Sequence, residues 1–199
     1  SLFVEYAETL QERREARKQS LDERVEMAKN IARTKENCLI WCDYNNESTA
    51  LHKAIRESVE VKGSDTPEHK EKAMMGFASG DVKYLVTKPS ICGFGMNWQN
   101  CHDMIFCGLS DSYEQFYQAI RRCYRFGQKH EVNVHVIISE KEMNVLNNIK
   151  RKQADHDRMS IEMVKVMSES AKVELFGQQR KNTDYIPEIA MEVPSWFPF

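Results

Sequence analysis

Residues 104–139 read MIFCGLSDSYEQFYQAIRRCYRFGQKHEVNVHVIIS, and this stretch decides the fold. It opens and closes on short apolar runs, 104–109 and 132–139, which are typical of buried strands. Between them, Ser112 and Gln115 form a capping-box pattern that predicts a helix over 112–126. A strand, a helix and a second strand in this order predict a βαβ unit with parallel strands.

The helix predicted over 112–126 carries two arginines on one side. Gln118, Arg122 and Arg125 stand at i, i+4 and i+7, which places them on one helical stripe. The opposite side is apolar and is expected to pack on the sheet; it consists of Phe116, Ala119, Ile120, Cys123 and Phe126. Two guanidinium groups held on the free side suit a phosphate, because each donates several hydrogen bonds and stays charged. A solvated basic face with structural ion pairs is the alternative interpretation.

The alternation of strands and helices extends to both sides of this stretch. Apolar runs predict strands at 38–43, 59–61 and 84–87, and helical periodicity predicts helices at 48–58 and 67–80. Two charged helices are expected within 5–33, with a break near Ser20, which supplies an N-cap with Glu23 three residues on. Ser139 with Glu142 opens a long helix towards residue 172. The expected fold is therefore α/β, a parallel sheet with helices on both faces, plus helical N- and C-terminal extensions.

The expected organisation has three parts. Residues 1–34 form a helical extension that leads into the lobe, 35–150 form the α/β domain, and 151–199 form a C-terminal helix and an irregular tail. The chain opens on Ser1 and shows no signal-peptide pattern, so we expect it to be a piece of a longer protein or a processed product.

Composition and charge narrow the class of function. With 41% hydrophobic and 29% charged residues, the 199-residue chain resembles a soluble globular protein. No apolar run approaches the roughly 20 residues that a membrane span needs. A net charge of −2 argues against a general polyanion binder, so any nucleic-acid contact must use a local patch.

The six cysteines contain no CxxC pair, which favours reduced, buried thiols in a cytosolic protein. Cys92, Cys101, His102 and Cys107 lie too irregularly for a zinc site. We therefore expect no metal-binding residues.

Polar loops follow three of the predicted strands. They read DYNN at 43–46, KGSD at 62–65 and TKPSICGFGMN at 87–97. The carboxyl ends of parallel strands meet at one edge of a sheet, where such folds bind ligands. Hydroxyl groups and glycine N–H groups near helix N-termini favour anions. Ordinary turn chemistry would explain any one of these loops, but three of them before an Arg-x-x-Arg helix indicate an anion site.

In this order, the segments resemble the second RecA-like lobe of superfamily 2 helicases and translocases. The resemblance is strongest to the SWI/SNF-type branch and to helicase-like proteins of phages and prophages. Residues 39–42 (LIWC) resemble motif IV, and Gly63-Ser64 with Glu68 and Phe77 resembles a segment of that branch. Residues 87–97 are similar to motif V, and 118–128 (QAIRRCYRFGQ) to motif VI with its Arg-x-Gly-Gln ending. The resemblance covers about residues 20–150.

The resemblance implies roles for particular residues. Arg122 and Arg125 would be arginine fingers that reach ATP, with Gln118 bridging to the same site, and Gly95 and Asn97 would line the nucleotide cleft. The residues implied to contact nucleic-acid phosphates are Ser64, Thr87, Lys88 and Asn45.

The resemblance also implies ATP with Mg²⁺ as cofactor, bound mainly by an N-terminal RecA-like lobe of the same full-length protein. The implied partner is nucleic acid, with DNA favoured and RNA left open, in the cytoplasm of a bacterial or phage-infected cell, without a membrane.

The 199 residues contain no Gly-x-x-x-x-Gly-Lys-Ser/Thr segment and no Asp-Glu-x-His/Asp box, the parts that hold the phosphates and Mg²⁺. We therefore expect the chain alone to be catalytically silent.

Alternatives from other classes stay open. One is a non-catalytic RecA-like docking module for nucleic acid or protein, whose basic patch would comprise Arg121, Arg122, Arg125 and Lys129. A Rossmann-type enzyme built on Gly93-x-Gly95 is disfavoured, because the third glycine of that fingerprint is missing. The motor subunit of a restriction complex is a variant of the helicase interpretation.

Overall fold

A parallel sheet forms the centre of the computed structural model. The structure describes residue 7 and residues 9–92 and 96–172, the side chains of 92 and 169–172 excepted. Within these residues the sheet has five strands in the spatial order β2-β3-β1-β4-β5, and every pairing is parallel. They are β1 (Cys38–Trp41), β2 (Ser58–Glu60), β3 (Tyr84–Thr87), β4 (Asp103–Cys107) and β5 (Asn133–Ile137). The predicted α/β fold with a parallel sheet is confirmed.

Helices connect the strands. They are α1 (Leu10–Gln19), α2 (Leu21–Ala32), α3 (Asn45–Ala54), α4 (Pro67–Ser79), α5 (Pro89–Cys92), α6 (Tyr113–Ile120) and α7 (Met143–Lys172). The hydroxyl of Thr66 caps α4, and the hydroxyl of Ser112 accepts the Gln115 N–H at 3.2 Å to cap α6. The capping box of Ser139 and Glu142 is present and leads through a short 3-10 turn into α7. Local sequence signals therefore set these helix starts correctly.

Ser20 occupies the break between α1 and α2 in an unexpected way. It stands at the N-cap position of α2, but its side chain makes no capping hydrogen bond there. Its hydroxyl instead donates to the Ala16 carbonyl at 2.8 Å. The break that the sequence predicts is correct, whereas the capping that it suggests is wrong.

The two faces of the sheet bury separate apolar layers. Successive strand residues point to opposite faces, so Leu39 and Trp41 lie in one layer and Ile40 in the other. The first layer packs against α4 and α6, through residues such as Phe77 and Ala119. The second packs against α2 and α3, where Val25, Ala28, Leu51 and Ile55 cover the strands. Helices on both faces are confirmed, and they leave the carboxyl edge of the sheet to the loops.

The chain divides into two compact units, residues 1–155 and 156–199. The first contains the sheet, α1 to α6 and the start of α7. In the second, the described helical residues expose their methionines, with Met159 and Met163 at 56% and Met167 at 65%. The irregular tail predicted after the long helix lies outside the described residues. None of the helices described here is both long and apolar enough to span a bilayer.

Candidate nucleotide and nucleic-acid interface

The loops that follow β1, β2, β3 and β4 lie at the carboxyl edge of the sheet. This arrangement follows from the parallel pairing of these strands. Eight of the nine residues that the sequence proposes for the site lie in the described part of the chain; Gly95 lies outside it. They fall into two groups, one near α3 and α4 and one near the end of α6.

Asn45 and Lys88 meet in the first group. Lys88 directly follows β3, and its Nζ donates to the Asn45 Oδ1 at 2.6 Å. Asn45 is the first residue of α3 and is exposed, while Lys88 is half-buried. The pair thus places an ammonium group at the N-terminus of a ten-residue helix, where backbone N–H groups also favour an anion.

Lys62 extends this basic surface along α3. Its Nζ donates to the hydroxyl of Thr49 at 3.3 Å and pairs with Glu60 at 2.9 Å. Thr49 lies four residues after Asn45, so both lysines touch the same side of α3. The hydrogen bond to Glu60 raises the pKa of Lys62, which keeps this ammonium charged.

Ser64 lies at the tip of the turn between β2 and α4. Its side chain is exposed. Two bonds fix the turn: the Lys62 N–H donates to the Asp65 Oδ2 at 2.7 Å, and the Lys70 Nζ donates to the Gly63 carbonyl at 2.7 Å. A hydroxyl and a third ammonium group are therefore held beside the N-terminus of α4.

Thr87 is buried, unlike the other three residues that are predicted to contact nucleic-acid phosphates. Its side chain is fully buried, and its hydroxyl donates to the Val61 carbonyl at 3.1 Å. Thr87 thus ties the end of β3 to the residue that follows β2. This position supports the loop on which Lys88 lies and does not present the hydroxyl on the surface.

The helix α6 is shorter than predicted. It ends at Ile120, and the prediction of a helix to residue 126 is wrong. Tertiary hydrogen bonds explain the early end: the Trp98 N–H donates to the Arg122 carbonyl at 2.9 Å, and the Gln128 Nε2 donates to the Cys123 carbonyl at 3.2 Å. A continued helix would need these two carbonyls for its own N–H groups.

Arg122 and Arg125 therefore do not share a helical stripe with Gln118, which lies half-buried on α6. Arg122 is 5% exposed, whereas Arg125 is exposed. Nevertheless, the two side chains converge, because the Nη1 atom of each donates to the Met96 carbonyl at 3.4 Å. In the part of the chain that the structure describes, no carboxylate pairs with Arg125 within 4.0 Å.

Two neighbours complete the second group. Asn97 directly follows Met96 and is exposed, so it lies close to the acceptor that the arginines share. Phe126 is predicted to belong to the buried side of the helix, and this is wrong, since its side chain is fully exposed. The cause is the early end of α6, which turns the chain away from the sheet before this residue.

Glu47 is a residue of this edge that sequence reasoning missed. Its Oε2 accepts the N–H groups of Asp43 and Tyr44 at 3.2 and 3.1 Å, which starts α3 at Asn45 and not at the predicted Ser48. The available signal was a glutamate three residues after the last extended residue, the position from which a carboxylate caps a helix.

Comparison with known proteins gives this site a context. The profile of the helicase conserved C-terminal domain matches residues 19–127. This chain belongs to that family. The match includes both groups of site residues and leaves α1 almost entirely outside. No curated protein shows a significant match to the chain.

Solved structures share the fold of this C-terminal helicase domain. The C-terminal part of the Fun30 ATPase domain is similar at 20% identity and a TM-score of 0.55, over 64% of this chain and 44% of that one. The C-terminal domain of the DEAD-box protein Dbp5 is similar at 14% identity and 0.58, over 67% and 80%. A Dbp5 from S. cerevisiae bound to Gle1 and IP6 is similar at 15% identity and 0.59, over 68% and 37%. The chain thus spans less than half the length of the Fun30 chain that it matches.

Proposed function

We propose that this chain is the second motor lobe of an ATP-dependent helicase or translocase that acts on DNA. The observation that carries the proposal is the convergence of Arg122 and Arg125 on the Met96 carbonyl. A shared acceptor means that the two guanidinium groups lie close together, and a phosphate oxygen would bind such donors more strongly than a carbonyl does, because its negative charge adds to the hydrogen bonds.

In this proposal the two arginines act from different depths. Arg125 lies at the surface and reaches the phosphate oxygens of a nucleotide bound on the N-terminal lobe. Arg122 lies beneath it and holds Met96, so that Asn97 and Gly95 line the cleft, while Gln118 bridges to the same site. When bound, ATP with Mg²⁺ supplies the phosphoryl group whose developing charge the guanidinium groups stabilise. We assign Mg²⁺ to the other lobe, as the family resemblance implies.

The first group of site residues is proposed to hold the DNA backbone. Lys88, Asn45 and Ser64 would contact phosphates directly, with Lys62 and Lys70 on the same surface. Their donors carry no pattern that distinguishes bases, which suits a protein that moves along a strand. Thr87 would serve this surface through its buried bond to Val61, by fixing the end of β3.

The activity of the isolated chain follows from what its sequence lacks. The 199 residues contain no Walker-type phosphate loop, so we propose that the chain alone is silent and that 35–150 serves as one of two lobes. The Arg-x-Gly-Gln ending at 125–128 supports a place in the SWI/SNF-type or phage branch. A cytoplasmic location in a bacterial or phage-infected cell belongs to the same proposal.

DNA binding by the chain itself tests the backbone surface. The affinity for a fluorescent duplex is measured by anisotropy over a salt series, for the wild type, Lys88→Ala and Lys83→Ala. Lys83 is exposed at the opposite end of β3 and its removal changes the net charge equally, so it is a matched control. We expect Lys88→Ala to reduce the slope of log affinity against log salt by about 1, and Lys83→Ala to leave it unchanged.

Equal salt dependence of Lys88→Ala and Lys83→Ala would count against the proposed DNA-binding surface. Equal slopes would mean that Lys88 contacts no phosphate, and the docking-module interpretation would then be preferred. A wild-type chain that does not bind DNA at low salt would also overturn this part of the proposal.

A further inference from the structure

Two arginines of α1 reach across the carboxyl edge of the sheet. α1 lies almost entirely before the region that matches the family profile, which begins at residue 19. Arg17 is nevertheless 5% exposed and contacts the loop that follows β1. Its Nη1 lies 2.9 Å from the Asp43 Oδ2, and its Nε lies 3.1 Å from the Glu47 Oε1. Its guanidinium carbon also lies 4.7 Å from the ring centre of Tyr44.

The same helix contacts the loop that follows β4. The Arg13 Nη1 pairs with the Asp111 carboxylate, just before the Ser112 cap of α6. Gly108 has a φ of +96°, and a Cβ there would overlap the guanidinium of Arg17. The absence of a side chain at Gly108 thus makes the space in which Arg17 lies. We name Arg13, Arg17 and their carboxylate partners Asp43, Glu47 and Asp111 the α1 clamp.

Glu47 connects the α1 clamp to Asn45 and Lys88, which are proposed to contact DNA. Its carboxylate accepts from Arg17 and from the Arg24 Nη2 at 2.9 Å, and it also accepts the N–H groups of Asp43 and Tyr44. These two amides immediately precede Asn45, the partner of Lys88. Arg17 thus contacts, together with Arg24, the carboxylate that holds the two amides next to Asn45.

Neighbouring carboxylates keep the buried guanidinium group of Arg17 charged. Burial alone would lower the pKa of Arg17, but the carboxylates of Glu47, Asp43 and Glu142 outweigh it and raise the pKa. Buried ion pairs seldom add net stability over apolar packing of equal volume. What they do provide is direction, since a guanidinium fork donates to carboxylates only in a narrow range of orientations.

We propose that Arg17, supported by Arg13, is a positioning residue for DNA binding: the α1 clamp orients the loop that holds Asn45 and thereby the Asn45–Lys88 pair. The inference rests on the function proposed above and assigns to α1 a part in that site. Arg17 itself is buried and touches no DNA.

The first experiment measures the loop directly. Amide hydrogen exchange of Asp43 and Tyr44 is compared between the wild type and Arg17→Lys, which keeps the charge but loses the fork. We expect on the order of tenfold faster exchange at these two amides, with unchanged exchange in β3 and β4. Unchanged exchange at both amides would overturn the inference.

The second experiment separates positioning from general destabilisation. DNA affinity is measured for Lys88→Ala and Lys70→Ala, each in the wild type and in Arg17→Lys. Lys70 is fixed through Gly63 on a different loop and is the matched control. We expect Arg17→Lys to weaken binding about fivefold and to shrink the effect of Lys88→Ala, while the effect of Lys70→Ala is unchanged. Additive effects with both lysines would overturn the inference.

A charge swap of Arg13 and Asp111 tests the α1 clamp even if Arg17→Lys folds poorly. Both residues are partly exposed, so a charge swap is tolerable. Arg13→Asp should weaken DNA binding, and the second change Asp111→Arg should restore it; failure of the swap to restore binding counts against the clamp. A wild-type chain that binds no DNA would overturn the proposed function, whereas intact binding without these effects would overturn only the clamp.

Discussion

Arg122 and Arg125 share one acceptor, since the Nη1 of each lies 3.4 Å from the carbonyl oxygen of Met96. One of these side chains is buried and the other is exposed. Two positive groups on one neutral oxygen repel each other, and an anion bound beside them would relieve the repulsion. The function proposed above assigns this pair to an anion that the N-terminal lobe would bring to it.

Replacement of the exposed arginine is the direct test of this arrangement. In the full-length protein we expect Arg125→Ala to reduce ATP turnover by about 10³-fold or more, because an arginine finger stabilises transition-state charge. Circular dichroism and the unfolding midpoint should be unchanged, since the side chain is exposed. Arg121→Ala is the control, because Arg121 is also exposed but lies over the Tyr117 ring at 6.0 Å. Normal turnover in Arg125→Ala would remove the finger assignment.

The contact between Asn45 and Lys88 shows which part of the site the sequence could predict. The strands and most helix starts follow from apolar runs and capping residues, and parallel strands bring the following loops to one edge. Hence Asn45 and Lys88, 43 positions apart, were predicted to serve one site and do lie in contact. This part of the prediction needs only local patterns and the handedness of βαβ units.

The end of α6 and the role of α1 could not be predicted in the same way. Helical periodicity continues beyond Ile120, but the Arg122 and Cys123 carbonyls accept hydrogen bonds from Trp98 and Gln128 there. Likewise, Arg17 looks like any residue of a charged surface helix until the fold brings it to Glu47. Both outcomes depend on contacts between distant segments, which periodicity does not encode.

Gly108 is predicted to be intolerant of a side chain. Gly108→Ala places a Cβ at a φ of +96° and inside the space of the Arg17 guanidinium, so a buried charge must move. We expect a loss of about 3 kcal/mol or more in the free energy of unfolding, measured by urea titration. Gly80→Ala is the control: its φ is +90° but no atom lies within 4 Å of the new Cβ, so only about 1 kcal/mol of backbone strain is expected. Equal losses in the two variants would show that Arg17 yields without cost.

Burial of Cys107 predicts a loss of stability at alkaline pH. Burial raises the pKa of this thiol to about 11 from an ordinary value of 9.0, although Arg24 opposes the shift. The folded state therefore keeps its proton while the unfolded state loses it, so the stabilisation is complete below pH 9 and is lost as the pH rises towards 11. The contribution is on the order of 2 kcal/mol.

The measurement for Cys107 is urea unfolding at pH 8 and pH 11 under reducing conditions, for the wild type and Cys107→Ala. Lysines also titrate in this range, so the difference between the two proteins is the informative quantity. The wild type should lose more stability than the variant between the two pH values. An equal loss would mean that the thiol ionises as readily in the folded as in the unfolded state.

Gln128 is predicted to hold the turn that carries the arginines. Its Nε2 lies 3.0 Å from the Gln99 carbonyl and 3.2 Å from those of Cys101 and Cys123. Gln128→Glu replaces this donor by an oxygen that faces three carbonyl oxygens, which costs about 2–3 kcal/mol because the acceptors lose their partner. Gln115→Glu makes the same chemical change on the exposed first turn of α6, where a carboxylate is favourable, and should be neutral or slightly stabilising. Urea titration measures the free energy of unfolding of both variants.

Hydrogen exchange at the Trp98 amide is the second measurement. This amide donates to the Arg122 carbonyl, so its exchange rate reports whether the turn opens. We expect faster exchange at Trp98 in Gln128→Glu only; unchanged exchange there would mean that the turn is held without Gln128, and that the early end of α6 has another cause.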